Sequence, residues 1–245
     1  MMKAQPYTLI HLKRVSSTQD WLREWAQMGA QEGLALLADE QYAGRGRLSR
    51  RWESPPGGLY LSILLKPEIP LALASRLTML VSLAAIDACE AIAHIRPTPK
   101  WPNDLLAQGK KLAGVLTELH GSGSHLEFAI IGLGMNVNND FTQSPLHDTA
   151  ISLKMLTNQR QDVNMLARTF LDALFLRYHT FMRGESPHME WAQRLEPVGR
   201  RVRVEHPPRA PLEGLVTGVS PDGALLIIDD AGQEHAIWAG DIIPM

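Results

Sequence analysis

Two short apolar runs, EGLALLADEQ (residues 32–41) and LYLSILLK (59–66), constrain this chain more than any other feature. Each is nearly continuous in apolar residues and too short for a typical helix, which is the pattern of a strand buried in a sheet. The segment joining them, YAGRGRLSRRWESPPGG, contains Gly44, Gly46, Gly57, Gly58 and two prolines, so it is a connection between strands rather than a third element. It also puts four arginines into the eight positions from Gly44 to Arg51, with no acid among them. The whole chain carries 24 Lys+Arg against 26 Asp+Glu, so this basicity is local and points to a local anion.

The rest of the chain alternates element types. YTLIHLKRV reads as a strand feeding a helix over SSTQDWLREWAQMGA, with Ser17 and Asp20 at capping-box spacing and Gly29 as a C-terminal stop. LALASRLTMLVSLAAIDACEAIA and VNMLARTFLDALFLRYHTFMRG are long apolar and amphipathic helices, and a shorter helix is expected around Trp191. Between the long helices, IRPTPKWPNDLLAQ, GKKLAGVLTELHG and HLEFAIIGLGMNVN are extended segments joined by turns, a meander rather than parallel crossovers. From Pro197 onward four short strand-like runs separated by turns suggest a small β-barrel. At 245 residues and 45% hydrophobic content, the expectation is a domain over 1–196 followed by a small module over 197–245.

The single cysteine, Cys89, lies inside an apolar helix and reads as a buried small side chain; it excludes an internal disulfide framework and suits a reducing compartment. The opening residues do not have the form of a signal peptide, and no run reaches about 18 uninterrupted apolar residues, so a cytoplasmic protein without a membrane partner is expected. The nine histidines show no metal-ligand spacing.

The arginine cluster has three readings: a solvated basic loop, a nucleic-acid contact or a bound phosphate. No basic helix or helix-turn-helix accompanies it and the pI is near 6.5, which weighs against nucleic acid. Glycine brings backbone N–H groups close to an anion and arginine supplies a planar fork of donors, so Gly44-Arg45-Gly46-Arg47 suits phosphate or carboxylate oxygens. KWPND adds Lys100, Asn103 and Asp104 beside a turn forced by Pro102, and KKLAGV places Lys111 at a strand start. GLGMN resembles the start of a dinucleotide fingerprint but has Val137 where the third glycine belongs. Its glycines more simply let a ligand approach a sheet.

Taken in order, SSTQ, EQYAGRGRLSRRWESPPGGLYLSILL, KWPNDLL, KKLAGVLTEL, GLGMNVN and the terminal WAGD resemble the biotin protein ligase family, also called biotin-[acetyl-CoA-carboxylase] ligase, over nearly the whole chain. The resemblance implies an α+β fold: a mixed, largely antiparallel sheet with helices, class II synthetase-like, plus an SH3-like C-terminal module. It implies a monofunctional type, without the DNA-binding domain that precedes the catalytic domain in repressor-type members. It also implies two half-reactions, in which ATP and biotin give biotinyl-5'-AMP and a lysine of a biotin carboxyl carrier domain then takes the biotin. Mg2+ would accompany ATP, and homodimerisation is common in the family.

Carried onto this chain, the family's motifs make Lys111 and Arg47 catalytic. Ser17, Thr18, Gln41, Gly44, Arg45 and Lys111 become biotin contacts, while Arg45, Gly46, Arg47, Trp52, Lys100, Asn103 and Asn136 become ATP or adenylate contacts. Asp104 becomes the magnesium candidate, directly or through water. Ser17 also fits a helix cap, and Trp52 fits either a lid over adenine or ordinary core packing. Where this chain has Leu48-Ser49, family members often carry a further glycine or basic residues, which bears on loop closure. Lipoate and octanoyl transfer enzymes, with a similar catalytic fold, are the alternative enzyme class; a biotinyl-adenylate-binding regulator is the non-enzymatic one.

Overall fold

The computed structural model describes residues 6–123, 125–196, 198–205 and 210–245. Pro197, where the second unit is expected to begin, lies outside them.

Seven strands form the main sheet: β1 (Thr8–Val15), β2 (Leu34–Gln41), β3 (Leu59–Leu65), β4 (Thr98–Lys100), β5 (Asp104–Ala107), β6 (Lys110–Ser122) and β7 (His125–Met135). Their spatial order is β1-β2-β3-β7-β6-β5-β4. Only the β1–β2 pair is parallel, its connection being the helix α1 (Thr18–Gln27); the other pairs are antiparallel. The fold is therefore α+β with a mixed, largely antiparallel sheet, and β4 to β7 form the expected meander. IRPTPKWPNDLLAQ, expected as one extended segment, supplies two strands: the turn expected at Pro102 reverses the chain, and Lys100 and Asp104 pair across β4 and β5.

Both faces of the sheet are covered, and this explains the near-continuous apolar character of β2 and β3. In β3, Leu59, Leu61, Ile63 and Leu65 enter the large apolar cluster, which also takes in α2 (Ser75–Ala93) and α4 (Val163–Met182). Leu64 joins a second cluster with Leu22 and Ala26 of α1 and with Leu36, Phe128 and Ile130. Alternate side chains thus go to opposite layers, as the two-residue period of a strand requires. Helix α2, with its leading turn, is long and apolar enough to cross a bilayer by length and composition, but most of it is packed inside the protein, and Cys89 is fully buried in it.

Two shorter helices, α3 (Leu153–Thr157) and α5 (His188–Arg194), complete the helical set. The C-terminal part is a five-stranded antiparallel sheet of β8 (Arg201–Glu205), β9 (Leu212–Val219), β10 (Leu225–Ile228), β11 (Glu234–Ile237) and β12 (Asp241–Pro244), in the order β11-β10-β9-β8-β12. The run HAIWAGDII, which reads as one strand, is split between β11 and β12 by Trp238–Gly240. Gly240 sits at φ +148, and a Cβ there would approach Val204 Cγ1 to 2.8 Å, so the chain can turn tightly against β8. Trp238 is exposed rather than packed in the core of this module. Val202, Val204, Val216, Leu225, Ile227 and Ile242 belong to the same apolar cluster as the main sheet's helices.

Candidate active site

A cleft of about 360 Å³ opens on the α1 side of the sheet, between β3, β6 and β7 below and the Gly-Arg connection above. Ser17, Thr18, Gln41, Arg45, Gly46, Arg47, Trp52, Lys100, Asn103, Asp104 and Lys111 all line it, although they are scattered over nearly a hundred positions of sequence.

At one end the polar groups form a chain. Ser54 Oγ accepts from Gln41 Nε2 at 2.9 Å, and Gln41 Oε1 accepts from the Thr18 backbone N–H at 2.8 Å and from Thr18 Oγ1 at 3.1 Å. Thr18 Oγ1 also lies 2.7 Å from Ser62 Oγ, a fully buried hydroxyl of β3. The side chains of Ser54, Gln41, Thr18 and Ser62 therefore each have a partner within this chain of bonds, which orients Gln41. Ser17 occupies the N-cap position of α1 with an extended backbone, yet its hydroxyl makes no cap bond; it is buried against the cleft. The capping-box reading fails for Asp20 as well, whose carboxylate turns to Arg23 and Arg45.

At the other end, Lys111 Nζ lies 2.8 Å from Asp104 Oδ1 and 5.3 Å from the centre of the Trp52 ring. The indole rests on two strand glycines: a Cβ on Gly134 would come within 2.6 Å of it, and one on Gly114 within 3.2 Å. Gly132 likewise makes room for the Gln19 side chain. The glycines of GLGMN therefore admit side chains of the protein itself, where open access for a ligand was the expectation. Trp52 is neither exposed nor in the apolar core, and its buried indole N–H has no partner among the described residues.

The arginines divide. Arg45 is paired to Asp20 at 2.7 Å and to Glu118 at 2.8 Å, and Arg50 to Asp241 of β12. Arg47 has no ion-pair partner among the described residues; it donates to Asn103 Oδ1 at 3.3 Å, and burial lowers the pKa of its guanidinium. Hydrogen bonding from Arg50 in turn holds the Asp241 carboxyl below its usual range. Gly44 is buried beneath the loop, where a Cβ would meet Trp52 O at 2.5 Å, so it shapes the turn and does not line the cleft.

Asn136 also lies outside this cleft. It lines a neighbouring one of about 480 Å³ with Arg51, Glu53, Asn138 and Phe141, and its Nδ2 donates to Lys111 O at 3.1 Å. Trp52 and Lys111 line both clefts and so stand between them.

A model described as the biotin/lipoate A/B protein ligase family matches residues 11–136, and one described as the biotin protein ligase C-terminal domain matches 198–243. The chain belongs to the biotin protein ligase family. It is similar to the bifunctional ligase/repressor BirA of Bacillus spizizenii, at 35% identity over 96% of this chain and 73% of that protein. It is similar also to the biotin–[acetyl-CoA-carboxylase] ligase of Mycobacterium tuberculosis, at 31% identity over 93% and 85% of the two chains. The biotin protein ligase of Aquifex aeolicus, solved in complex with biotin and ATP, superposes with a TM-score of 0.82 at 32% identity, covering 96% of this chain and 97% of that one. As a member of this family the chain is a ligase.

The geometry adds residues that the motifs left unassigned: Asp20, Arg50, Ser62, Glu118 and Asp241. Ser62 had a signal, as a small polar residue inside an apolar strand. Asp20 was absorbed by its resemblance to a cap, and Glu118 has no local signal at all.

Proposed function

We propose that this ligase activates biotin with ATP as biotinyl-5'-AMP and transfers it to a lysine of a biotin carboxyl carrier domain. The observation that carries this reading is the position of Lys111 at the boundary between two clefts. A ligand with a compact polar head, a central phosphate and an aromatic base can span both with its phosphate at the lysine.

In this reading the ureido head lies at the Ser54–Gln41–Thr18–Ser62 end. Gln41 Nε2 has used one N–H on Ser54 and offers the other to the ureido carbonyl, while Ser17 and Thr18 supply hydroxyl oxygens to its N–H groups. The carboxylate then points toward Lys111. One carboxylate oxygen attacks the α-phosphorus, the bond to the bridging oxygen breaks, and pyrophosphate leaves. Two anions must approach for this to happen. Lys111, Lys100 and Arg47, which has no ion-pair partner among the described residues, offset their repulsion and the charge that develops on the phosphoryl oxygens. Adenine takes the second cleft, bounded by Trp52 and Asn136. In the second step the acceptor amine attacks the acyl carbon, AMP departs, and the amine loses a proton.

Among the described residues no cluster of three metal-ligating side chains exists, and the Asp104 carboxylate is paired with Lys111. Such a site fits Mg2+ only as an ion brought with the nucleotide, since Mg2+ is commonly held by one or two carboxylates together with substrate phosphates. Asp104 is the side chain that would hold it, and the ion would neutralise phosphate charge when bound.

Incubation with ATP, Mg2+, biotin and a carrier domain, scored by intact mass, tests the proposal. A gain of one biotin on one lysine is expected. Pyrophosphate exchange that depends on lipoate and not on biotin would overturn it in favour of the neighbouring acyl-transfer class.

A further inference from the structure

Two rungs of the sheet form the floor of the first cleft. Ser62, Gly132 and Leu116 stand opposite one another across β3, β7 and β6, and two residues further along β7 so do Tyr60, Gly134 and Gly114. The middle residue of each rung is a glycine, which leaves a trough on β7, and a side chain of the protein lies in each trough: Trp52 over Gly134 and Gln19 over Gly132. Gln19 follows Thr18 on α1, lines the cleft and is only 5% exposed. Its Nε2 donates to Leu116 O at 3.2 Å and to Ile130 O at 3.4 Å, carbonyls of two adjacent strands, so the main chain of the sheet holds the amide in place. A Cβ on Gly132 would lie 2.9 Å from Gln19 Oε1 and 3.1 Å from its Cδ, so the side chain lies flat on the strand with no space beneath it. Thr18 bonds Ser62 on the same rung, which puts Gln19 beside the polar end of the cleft.

We infer that Gln19 is a specificity-determining residue of the ligase: seated on Gly132, it walls the polar end of the cleft and sets the size of head group that the enzyme accepts. This rests on the reading above that the ureido head lies at that end. Gln19 acts as a wall because its amide is bonded to the sheet on one side and packed against Gly132 on another, so it cannot sink to admit a larger ring. Gly132 is the other half of the device. Any side chain there would lift Gln19 into the space of the ligand, and this gives the first glycine of GLGMN a role that no dinucleotide fingerprint requires. A pocket that fits or excludes one methylene discriminates by about 10–200-fold, so a single methyl group on the ligand is enough to reveal the wall.

The test titrates biotin, and the two analogues that carry one methyl on either ureido nitrogen, into wild type, Gln19→Ala, Gly132→Ala and the double variant by calorimetry. In Gln19→Ala the preference for biotin over at least one analogue is expected to fall about tenfold, while the Kd for biotin stays within about threefold of wild type. Gly132→Ala should weaken biotin about tenfold by displacing Gln19, and the double variant should bind it within about threefold of Gln19→Ala, since the two substitutions act through one contact. A purely structural role would change the affinities for biotin and for both analogues by one common factor and leave their ratio unmoved, which would overturn the wall. An equal loss of biotin affinity from Gly132→Ala with and without Gln19 would overturn it too. If Gly132→Ala does not fold, the ratio measured in Gln19→Ala decides alone. Absence of biotin binding by the wild type is a distinct outcome: it removes the reading of the cleft and the wall with it, whereas unchanged discrimination beside normal biotin binding removes the wall alone.

Discussion

Lys111 is held from two sides. Its backbone N–H donates to Thr149 O at 2.8 Å, its carbonyl accepts from Ile151 N at 3.1 Å and from Asn136 Nδ2 at 3.1 Å, and its ammonium sits between the Asp104 carboxylate and the Trp52 face. Truncating the side chain leaves every backbone bond in place, so Lys111→Ala should melt close to wild type yet lose about 100-fold or more in pyrophosphate exchange. Near-normal exchange would remove it from the mechanism. Ser62 makes the opposite kind of prediction. Ser62→Ala removes only the hydroxyl of this β3 residue and so strips Thr18 of a partner at the polar end of the cleft. The KM for biotin should rise about tenfold with kcat little changed, and a fall in kcat alone would contradict its place at the biotin end. What could be read from sequence here follows from chemistry: Lys111, Thr18 and Gln41 sit in motifs whose residue types already suit an anion or a urea. Asp20 and Glu118 could not be read, because their shared partner depends on how α1 lies over β6, a relation spanning almost a hundred residues.

Helices and strands were legible where one period dominated. The apolar content of α2 and the amphipathic pattern of α4 marked both helices, and β2 and β3 were visible as continuous runs because both sheet faces are covered. The parallel pairing of β1 with β2 was not legible, since register is a property of two segments and of the helix between them. The turn at Trp101–Asn103 was legible from Pro102, but the short turn at Trp238–Gly240 was missed for a related reason: the pairing of Asp241 with Glu205 defines the strand end, and no local composition does so. One long-range tie between elements yields a stability prediction. Arg177 of α4 reaches Asp87 of α2 at 2.6 Å and Glu190 of α5 at 2.8 and 3.0 Å, joining three helices through a side chain that is mostly buried. Arg177→Ala should cost about 2 kcal/mol, the scale of lost hydrogen bonds to charged groups, or about 4–8 °C in Tm for a chain of this size. Adenylate synthesis at 25 °C should be retained, because none of the three residues lines the cleft. Calorimetry with parallel exchange assays checks both halves.

At the scale of the whole molecule, the question is whether the C-terminal sheet is a passenger. Its apolar residues share one buried cluster with the main sheet's helices, and its β9–β10 turn is stitched to the rest by Trp101 Nε1 to Gly223 O at 3.0 Å and Ser75 Oγ to Asp222 O at 2.6 Å. Roughly fifty residues bury little core alone, so this shared packing is part of the module's own stability. The module also reaches the candidate site through Asp241, which lines the cleft and pairs with Arg50 at the far end of the Gly-Arg loop. Because that pairing holds the Asp241 carboxyl below its ordinary range, its contribution is fully present above the unfolded aspartate pKa of about 4 and is lost as pH falls through the lower folded value. At neutral pH the strap is complete, and Asp241→Asn weakens it there by removing the charge. This variant should raise the KM for ATP while leaving biotin affinity unchanged, since Thr18, Gln41 and Ser62 all lie on the main sheet and α1. Deleting residues 197–245 should do the same more severely and also abolish carrier labelling, with lower solubility from the uncovered cluster. Titrating both proteins with biotin by calorimetry and with ATP in exchange assays separates the two affinities. A soluble 1–196 fragment with wild-type use of ATP and carrier would show that the terminal sheet is dispensable and that Arg50 does not need Asp241.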